Sequence, residues 1–453
     1  MQILILGAGE VGFHTAMQLA REDHNVVVID KNPENLRQIS DYMDVQTVLG
    51  HASSPKVLED AGINDADLLV AVTDSDEVNL QACHFAKLIS PHTTRITRVR
   101  DEDYLTFMKE KGLAVFDVDG LINPENEVAL QITNLVRVPA ASFVADFADG
   151  RVKLLGLKPP LTSPVIGKTM SQLHPPGSPE FLVAALEQSG KVVIPRGDNV
   201  LHGGDQAYVV VRHENLDKVI QHFGINNDPV NKITLIGGGA ISRQVALACQ
   251  DLGLRVTIVA RDEAVGNRLA EEFPGYLILK GDPDDLSLWE EEDLGNVDVF
   301  CAVTDYEEDN VLLALLGSKM GAKRTVARVA NVGYVPLASS LGVDLVVSPR
   351  SAAAGAILHF LRRGKVLSVS PLQDDSAELV ELVAQETSSI IGVPLKELKI
   401  PNGILLAAVV HDGETYIPDG NTVIHPGDEL VFFLMHDMVK KLEKLISVKL
   451  EFF

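Results

Sequence analysis

Three glycines near the amino terminus, in Gly7-Ala8-Gly9-Glu10-Val11-Gly12, have the spacing that phosphate chemistry requires. The loop follows a short apolar run, Gln2–Leu6, and opens a stretch with helical spacing of apolar residues, Phe13–Ala20. In that setting Gly7 permits a tight turn, Gly9 lets the backbone approach a pyrophosphate, and Gly12 allows a helix to pack closely on a strand. Phosphate then sits over the amides and the positive dipole end of the helix. Asp30 ends the next apolar run, 21 residues beyond Gly9. A carboxylate there accepts hydrogen bonds from ribose hydroxyls and repels a 2′-phosphate, which predicts NAD over NADP.

The same pattern returns in altered form. Gly237-Gly238-Gly239-Ala240-Ile241-Ser242 keeps the first two functional glycines, but Ser242 stands at the third. The position matching Asp30 is Ala260, followed by Arg261. Loss of the ribose carboxylate is expected to weaken dinucleotide binding or redirect the site toward another nucleotide; the other reading is a vestigial structural copy. Thr73 and Asp74 close a fourth apolar run, and Thr304 and Asp305 repeat them. Two readings apply to these pairs together: ligand contact at a sheet edge, and capping of the next helix. Arg98 and Arg328 end the following run, where a guanidinium reaches phosphate or forms a surface ion pair. Gly50-His51 and Gly281-Asp282 match in position, as loops beside the ribose.

These residues need a scaffold, and the chain supplies it twice. Leu68–Asn79 (LLVAVTDSDEVN) reappears as Val299–Asn310 (VFCAVTDYEEDN), and Arg95–Arg100 is echoed from Arg324. Ile194–Asp205 matches Ile417–Asp428 at an offset of 223, with seven of twelve positions identical. The order is A–B–A–B, a large unit and then a small one, twice. Strand-like runs at Gln2–Leu6, Asn25–Ile29, Val45–Leu49, Leu68–Val72 and Ile96–Val99 alternate with helical stretches at Pro55–Ala61 and Val78–Ile89. That predicts an α/β fold, a doubly wound, Rossmann-like parallel sheet with helices on both faces. The second copy predicts strands at Ile233–Ile236, Arg255–Val259, Leu277–Leu279, Val297–Val303 and Thr325–Val329. Each small unit reads as α+β, the first with strands at Val152–Leu157, Phe181–Ala185, Lys191–Ile194 and Gln206–Val211 and a closing helix at Glu214–Phe223. Helical stretches at Glu125–Val136 and Ala352–Arg362 precede the small units as crossover arms. The boundaries expected are 1–123, 124–140, 141–225, 226–231, 232–350, 351–366 and 367–453: each large unit, crossover segment and small unit, with a polar linker between the halves.

Composition narrows the function. At 453 residues the chain exceeds one ordinary domain of about 100–200 residues. With 46% hydrophobic and 23% charged residues it has the profile of a folded globular chain. Its 39 Lys and Arg face 63 Asp and Glu, a net charge of −24, which argues against a partner gripped by charge such as nucleic acid. Apolar runs such as Gly403–Val410 are far short of the ~18–20 residues that hydrocarbon demands, and no basic leader precedes the glycine loop. Cys83, Cys249 and Cys301 are an odd, scattered set read as buried small hydrophobes in a reducing compartment, and the chain is expected in the cytosol. No Ser/His/Asp set, HExxH helix or metal-ligand cluster stands out, and the repeated His202 and His425 lie in a turn read as structural.

Taken with the glycine loops, the segments VVVIDKNPENL, VLGHASSPKVLEDAG, DADLLVAVTDSDEVN, RITRVR, LINPE, LKGDPDDLSLWEEE, MGAKRTVARV and VVSPRSA closely resemble the RCK (KTN) nucleotide-binding regulators of potassium transport. The resemblance covers essentially the full length, as two RCK-N and two RCK-C domains in alternation. It implies a cytoplasmic protein peripherally docked on the inner face of the membrane, against a Trk-type potassium-transporting subunit. It also implies a homotetramer whose ring holds eight RCK domains. The first site is implied to take NAD(H) through Gly7, Ala8, Gly9, Glu10, Val11, Asp30, His51, Thr73, Asp74 and Arg98. The second, through Gly237, Gly238, Gly239, Ala240, Ile241, Asp282, Thr304, Asp305 and Arg328, is implied to take ATP, ADP or NAD(H).

The remaining sequence favours a switch over a catalyst. A dehydrogenase of this fold devotes a further large domain to substrate, with an acid–base group facing the nicotinamide. Here only ~80 residues follow each large unit, and they repeat one another. The expectation is a nucleotide-binding regulatory subunit and not an enzyme; the alternatives are an NAD-dependent oxidoreductase and a nucleotide sensor for another partner.

Overall fold

A computed structural model describes residues 1–22, 24–173, 180–331, 333–361, 365–372 and 376–446. The first sheet contains β1 (Gln2–Leu6), β2 (Asn25–Asp30), β3 (Gln46–Leu49), β4 (Leu68–Ala71), β5 (Thr94–Arg98) and β6 (Gly120–Ile122). Its order is β3-β2-β1-β4-β5-β6, and every pair is parallel. The strand order reverses between β1 and β4, and in open α/β sheets ligands bind in the crevice at that point, beyond the carboxyl ends of the strands. The central strands read ILIL, VVVI and LLVA because helices cover both faces, and Ile3 to Leu6 and Leu68 to Ala71 are fully buried.

The small units are antiparallel. β7 (Phe143–Phe147), β8 (Val152–Leu157), β9 (Phe181–Gln188), β10 (Lys191–Val193) and β11 (Gln206–Arg212) take the order β10-β9-β11-β8-β7. The second large unit repeats the first with β12 (Lys232–Ile236), β13 (Arg255–Ala260), β14 (Leu277–Lys280), β15 (Val299–Ala302), β16 (Arg324–Arg328) and β17 (Leu345–Val347), ordered β14-β13-β12-β15-β16-β17. The second small unit has β18 (Lys365–Pro371), β19 (Ala377–Val383), β20 (Ile404–His411), β21 (Glu414–Tyr416) and β22 (Glu429–Met435), in the order β18-β19-β22-β20-β21. The two halves therefore share one topology, and the expected α/β class with two doubly wound sheets and two small α+β domains is observed.

The differences from expectation are at the edges. The strands Phe143–Phe147 and Gly120–Ile122 have no counterpart in the pattern reading, because the first is interrupted by polar Asp146 and the second is three residues long. The helices Pro33–Tyr42 and Glu102–Lys111 were likewise not anticipated; both are largely polar surface helices with few buried side chains. The closing helix is Leu216–His222, preceded by a single 3₁₀ turn. The second arm is the helix Pro349–Leu361, and its expected end, Arg362, lies outside the described residues.

By compactness the chain forms two units, one of residues 1–127 with 348–360 and one of residues 128–347 with 361–453. The helix Pro124–Arg137 thus starts in the first unit and continues into the second, while nearly all of Pro349–Leu361 belongs to the first. Inside the first unit the Phe360 ring lies where a side chain on Gly120 would point, so only glycine fits at the start of β6. Inside the second unit the two small sheets pack face to face. Phe147, Leu154 and Val210 from one share a core with Leu379, Val431 and Phe433 from the other. Ala184, Ala185, Ala407 and Ala408 keep the contact close. The Ala148 amide donates to the buried Glu381 carboxylate at 2.7 Å, and Arg151 pairs with Glu429 at 3.1 Å across the same junction. All three cysteines are buried thiols, and desolvation pushes Cys83 and Cys249 up to about 12.

Candidate functional site

The glycine loop leaves β1 with Gly7 at φ +102°, a left-handed conformation that side chains resist. A side chain on Gly7 would meet the Thr73 backbone at 3.0 Å, so the loops after β1 and β4 lie against each other at the switch point. Gly9 precedes the helix Glu10–Arg21 without any side-chain cap, and a methyl group there would touch nothing within 4 Å. The space beside Gly9 at the start of this helix is therefore open, as an anion site requires. Gly12 is the opposite case: its methyl would stand 1.8 Å from the Gly7 carbonyl oxygen. Gly7 and Gly12 thus have the turn and packing tasks expected of them, and Gly9 stands clear of protein atoms.

Asp30 ends β2 with its carboxylate held by two backbone amides, Ala8 at 2.6 Å and Asn32 at 2.7 Å. Each oxygen retains accepting capacity, so the group is oriented and still able to take a diol. The Gly50 amide donates to the Asp30 carbonyl at 3.0 Å, which brings the Gly50–His51 loop beside it. His51 is exposed, and its ring Nδ1 lies 3.0 Å from the Ser53 hydroxyl. Glu10 and Asp74 are also at this edge, Asp74 exposed and 3.4 Å from Lys31.

Arg98 has a carboxylate partner in this structure, the second of the two roles expected of it. Its guanidinium pairs with Glu125 at 2.8 Å, mostly buried, and so ties β5 to the start of the crossover helix. In the second copy Arg328 donates to the Thr304 carbonyl at 2.5 Å and pairs with Asp305 at 3.1 Å. Thr73 and Thr304 are held in matching ways by a residue the sequence reading passed over. Buried Asn79 accepts from the Thr73 amide and hydroxyl at 2.9 and 2.6 Å and donates to the Arg98 carbonyl at 3.1 Å. Asn310 repeats all three bonds around Thr304 and Arg328. The signal was present in the repeated segment, since both copies end in asparagine. Ser75 caps the helix Asp76–Ile89, so capping falls one residue beyond the Thr73–Asp74 pair.

A second missed residue comes from far along the chain. Arg350, at the start of the helix Pro349–Leu361, grips both carboxylate oxygens of Glu10 at 2.5 and 3.1 Å and lies 3.4 Å from His14 Nε2. Burial and then the Arg350 charge lower the His14 pKa, so its ring is neutral at pH 7. Nothing local in the sequence pairs positions 10 and 350.

The second copy is built alike but carries apolar side chains beside its glycine loop. Gly237 has φ +114°, and Gly239 opens onto free space. A methyl on Gly238, however, would strike Val265 at 2.6 Å and Ala260 at 3.2 Å. Apolar groups thus fill the ground that Asp30 and its neighbours hold in the first copy. Arg261 turns away to Asp282 at 2.6 Å and lies over the Tyr306 ring. Ala240 and Ile241 begin the following helix. Ser242, at the third glycine position, is fully buried, and its hydroxyl finds no partner among the described residues. A buried unpaired hydroxyl costs about 1–3 kcal/mol. Ser242→Ala is therefore expected to leave the melting temperature unchanged or raise it by a few degrees in scanning calorimetry; a clear fall would show that the hydroxyl is satisfied.

Comparison with known proteins places this architecture. TrkA-N domains match residues 3–124 and 233–349, and TrkA-C domains match residues 155–224 and 379–447. The Trk system potassium uptake protein TrkA of Halomonas elongata is 33% identical over the full length of both chains. The chain belongs to the TrkA family. Among solved structures it is similar to the GsuK RCK domain, with a TM-score of 0.64 at 17% identity, covering 98% of this chain and 94% of that one. The GsuK channel bound to NAD gives the same score and identity over 98% and 78% of the two chains. At that identity the likeness concerns the fold, and it is the tandem RCK fold throughout. Among the described residues of this TrkA-family chain no helix is long and apolar enough to cross a membrane.

Proposed function

We propose that the chain is a nucleotide-binding regulatory subunit that gates a Trk-type potassium uptake system from the cytoplasmic face of the membrane. The observation that carries this is the first glycine loop, open at Gly9 and flanked by an oriented Asp30, with the second half's Arg350 on its Glu10. The first site takes NAD(H) through Gly7–Val11, Asp30, His51 and Thr73, with Asp74 at its rim. The second takes ATP, ADP or NAD(H) without a carboxylate on the adenosine ribose that all three share, since buried Ala260 stands at that position. The domain limits set out from the repeat belong to this reading, as does a homotetrameric ring of eight RCK domains on the membrane subunit. Family membership and the names of its relatives support potassium uptake as the process served.

Binding serves regulation here rather than hydride transfer. The faces that the two small sheets turn toward each other are consumed by mutual packing, so those faces offer no substrate cavity. Nucleotide gates the system by binding two ring conformations with different affinity, because equal affinity shifts no equilibrium. The crossover helices Pro124–Arg137 and Pro349–Leu361 transmit that difference, the second through Arg350 at the glycine loop itself.

The test is potassium flux through the reconstituted membrane subunit with this chain, measured without nucleotide and with NADH, NAD, ATP or ADP. Flux that changes between nucleotides supports the reading, and flux identical in all five states removes it. Arg350→Ala supplies a sharper check. Freed of its partner, the Glu10 carboxylate repels an anionic nucleotide, and NADH binding is expected to weaken about three- to tenfold at low salt. Adding Glu10→Gln should restore it; no change in either variant would leave Arg350 a purely structural pairing.

A further inference from the structure

We propose that His411, His425 and Asp428 form a binding site for a divalent transition-metal ion of the zinc class, in the second small domain. His411 ends β20, while His425 and Asp428 lie in the turn that leads into β22. One ligand atom from each of the three lies within 4.8 Å of the others. His411 Nδ1 is 2.6 Å from Asp428 Oδ1, His425 Nδ1 is 3.8 Å from Asp428 Oδ2, and the two ring centroids are 4.8 Å apart. Ligands about 2.0–2.2 Å from a tetrahedral zinc lie roughly 3.3 Å from one another, so small rotations of two side chains complete the geometry.

The site is oriented as metal sites are. Asp428 is almost fully buried, and the His425 amide donates to its Oδ2 at 2.8 Å, which leaves Oδ1 directed at His411. Such an outer bond fixes a ligating carboxylate before the ion arrives. Both rings are half-exposed, which gives the ion a path in and leaves room for water in the remaining positions. Two imidazoles with one carboxylate suit zinc, cobalt or nickel, whereas calcium and magnesium take oxygen ligands.

The first half of the chain provides an internal control. The same turn there carries His202 and Asp205, with the His202 amide on Asp205 at 2.8 Å, as in the second half. The residue matching His411 is Gln188, whose side-chain amide donates to Asp205 at 2.6 Å. An amide NH₂ fills the same hydrogen bond but cannot bind a cation through nitrogen. One substitution between the halves therefore turns a structural turn into a three-ligand set. On this proposal His425 gains a ligand role beyond the structural one read for the repeated turn, and His202 does not.

The experiment uses the tag-free full-length chain, stripped with chelator and titrated with zinc against a competing chromophoric chelator. Cobalt(II) serves as a spectroscopic probe of tetrahedral nitrogen and oxygen ligation. One zinc per chain is expected at this site, with visible cobalt bands. His411→Gln installs the first half's residue and should weaken that equivalent by about tenfold or more while the unliganded protein melts as before. His425→Ala, at a half-exposed ring, should do the same, and His202→Ala should leave zinc binding intact. Absence of a zinc equivalent in the wild-type chain, or its retention in both His411→Gln and His425→Ala, overturns the proposal.

Discussion

Asp30→Ala is expected to weaken NADH binding on the order of a hundredfold in calorimetric titration. A ribose diol on a carboxylate makes two charge-assisted hydrogen bonds, each worth about 1.5–3 kcal/mol, and about 1.4 kcal/mol is a factor of ten. The same carboxylate also holds the Ala8 and Asn32 amides at 2.6 and 2.7 Å, so its removal loosens the loop that cradles phosphate. Asp30→Asn, which keeps one acceptor, should fall between. In the second copy Arg261→Ala should leave NADH binding unchanged, because Arg261 is committed to Asp282 and Asp284 and no carboxylate stands at position 260. NADH binding within threefold of wild type in Asp30→Ala would place the dinucleotide elsewhere.

The largest effect on stability is expected from Gly12→Ala. The added methyl would sit 1.8 Å from the Gly7 carbonyl oxygen and 2.9 Å from its carbon, against backbone that no rotamer change can move. Helix Glu10–Arg21 must then lift from β1, at a cost of about 3 kcal/mol or more. The first unit should melt roughly 5–10 °C lower, with NADH binding lost alongside. Gly9→Ala separates the two roles. Its methyl meets no protein atom within 4 Å, so melting should hold while nucleotide affinity falls, the methyl occupying the pyrophosphate's space. If Gly9→Ala binds NADH normally, the amides of that helix are not the phosphate site. If Gly12→Ala melts as wild type, the loop is more plastic than its packing indicates.

Local pattern carried much of this into the sequence. β1 is the same five residues in both readings, and most other strands of the two large units agree to within one or two, because a fully buried parallel strand is a continuous apolar run bounded by turn residues. The turn at Gly7 and the close packing at Gly12 were likewise legible, since each follows from a position in a strand–loop–helix unit. β6 was missed because three residues flanked by polar positions carry no period, and β7 because Asp146 is its one exposed position, too few to mark an alternation.

Side-chain partnership was the part the sequence withheld. Arg98 stood at the strand end a phosphate ligand would occupy, yet it pairs with Glu125; charge and position fix where a guanidinium begins, and packing decides which carboxylate it reaches. The second copy's missing carboxylate could be read from Ala260, whereas the filling of that space by Val265 appears only once the helix is laid on the sheet. Arg350 and Glu10 are 340 residues apart, and the two small sheets share a core no periodicity could assign. The duplicated α/β architecture, the glycine loop and the acidic residue beside it are written in the order of residue types, because strands, helices and turns follow from local periodicity and turn chemistry. Which distant groups meet is settled by folding alone: the path of the chain brings Arg350 to the loop and His411 to Asp428, and short-range spacing encodes neither encounter.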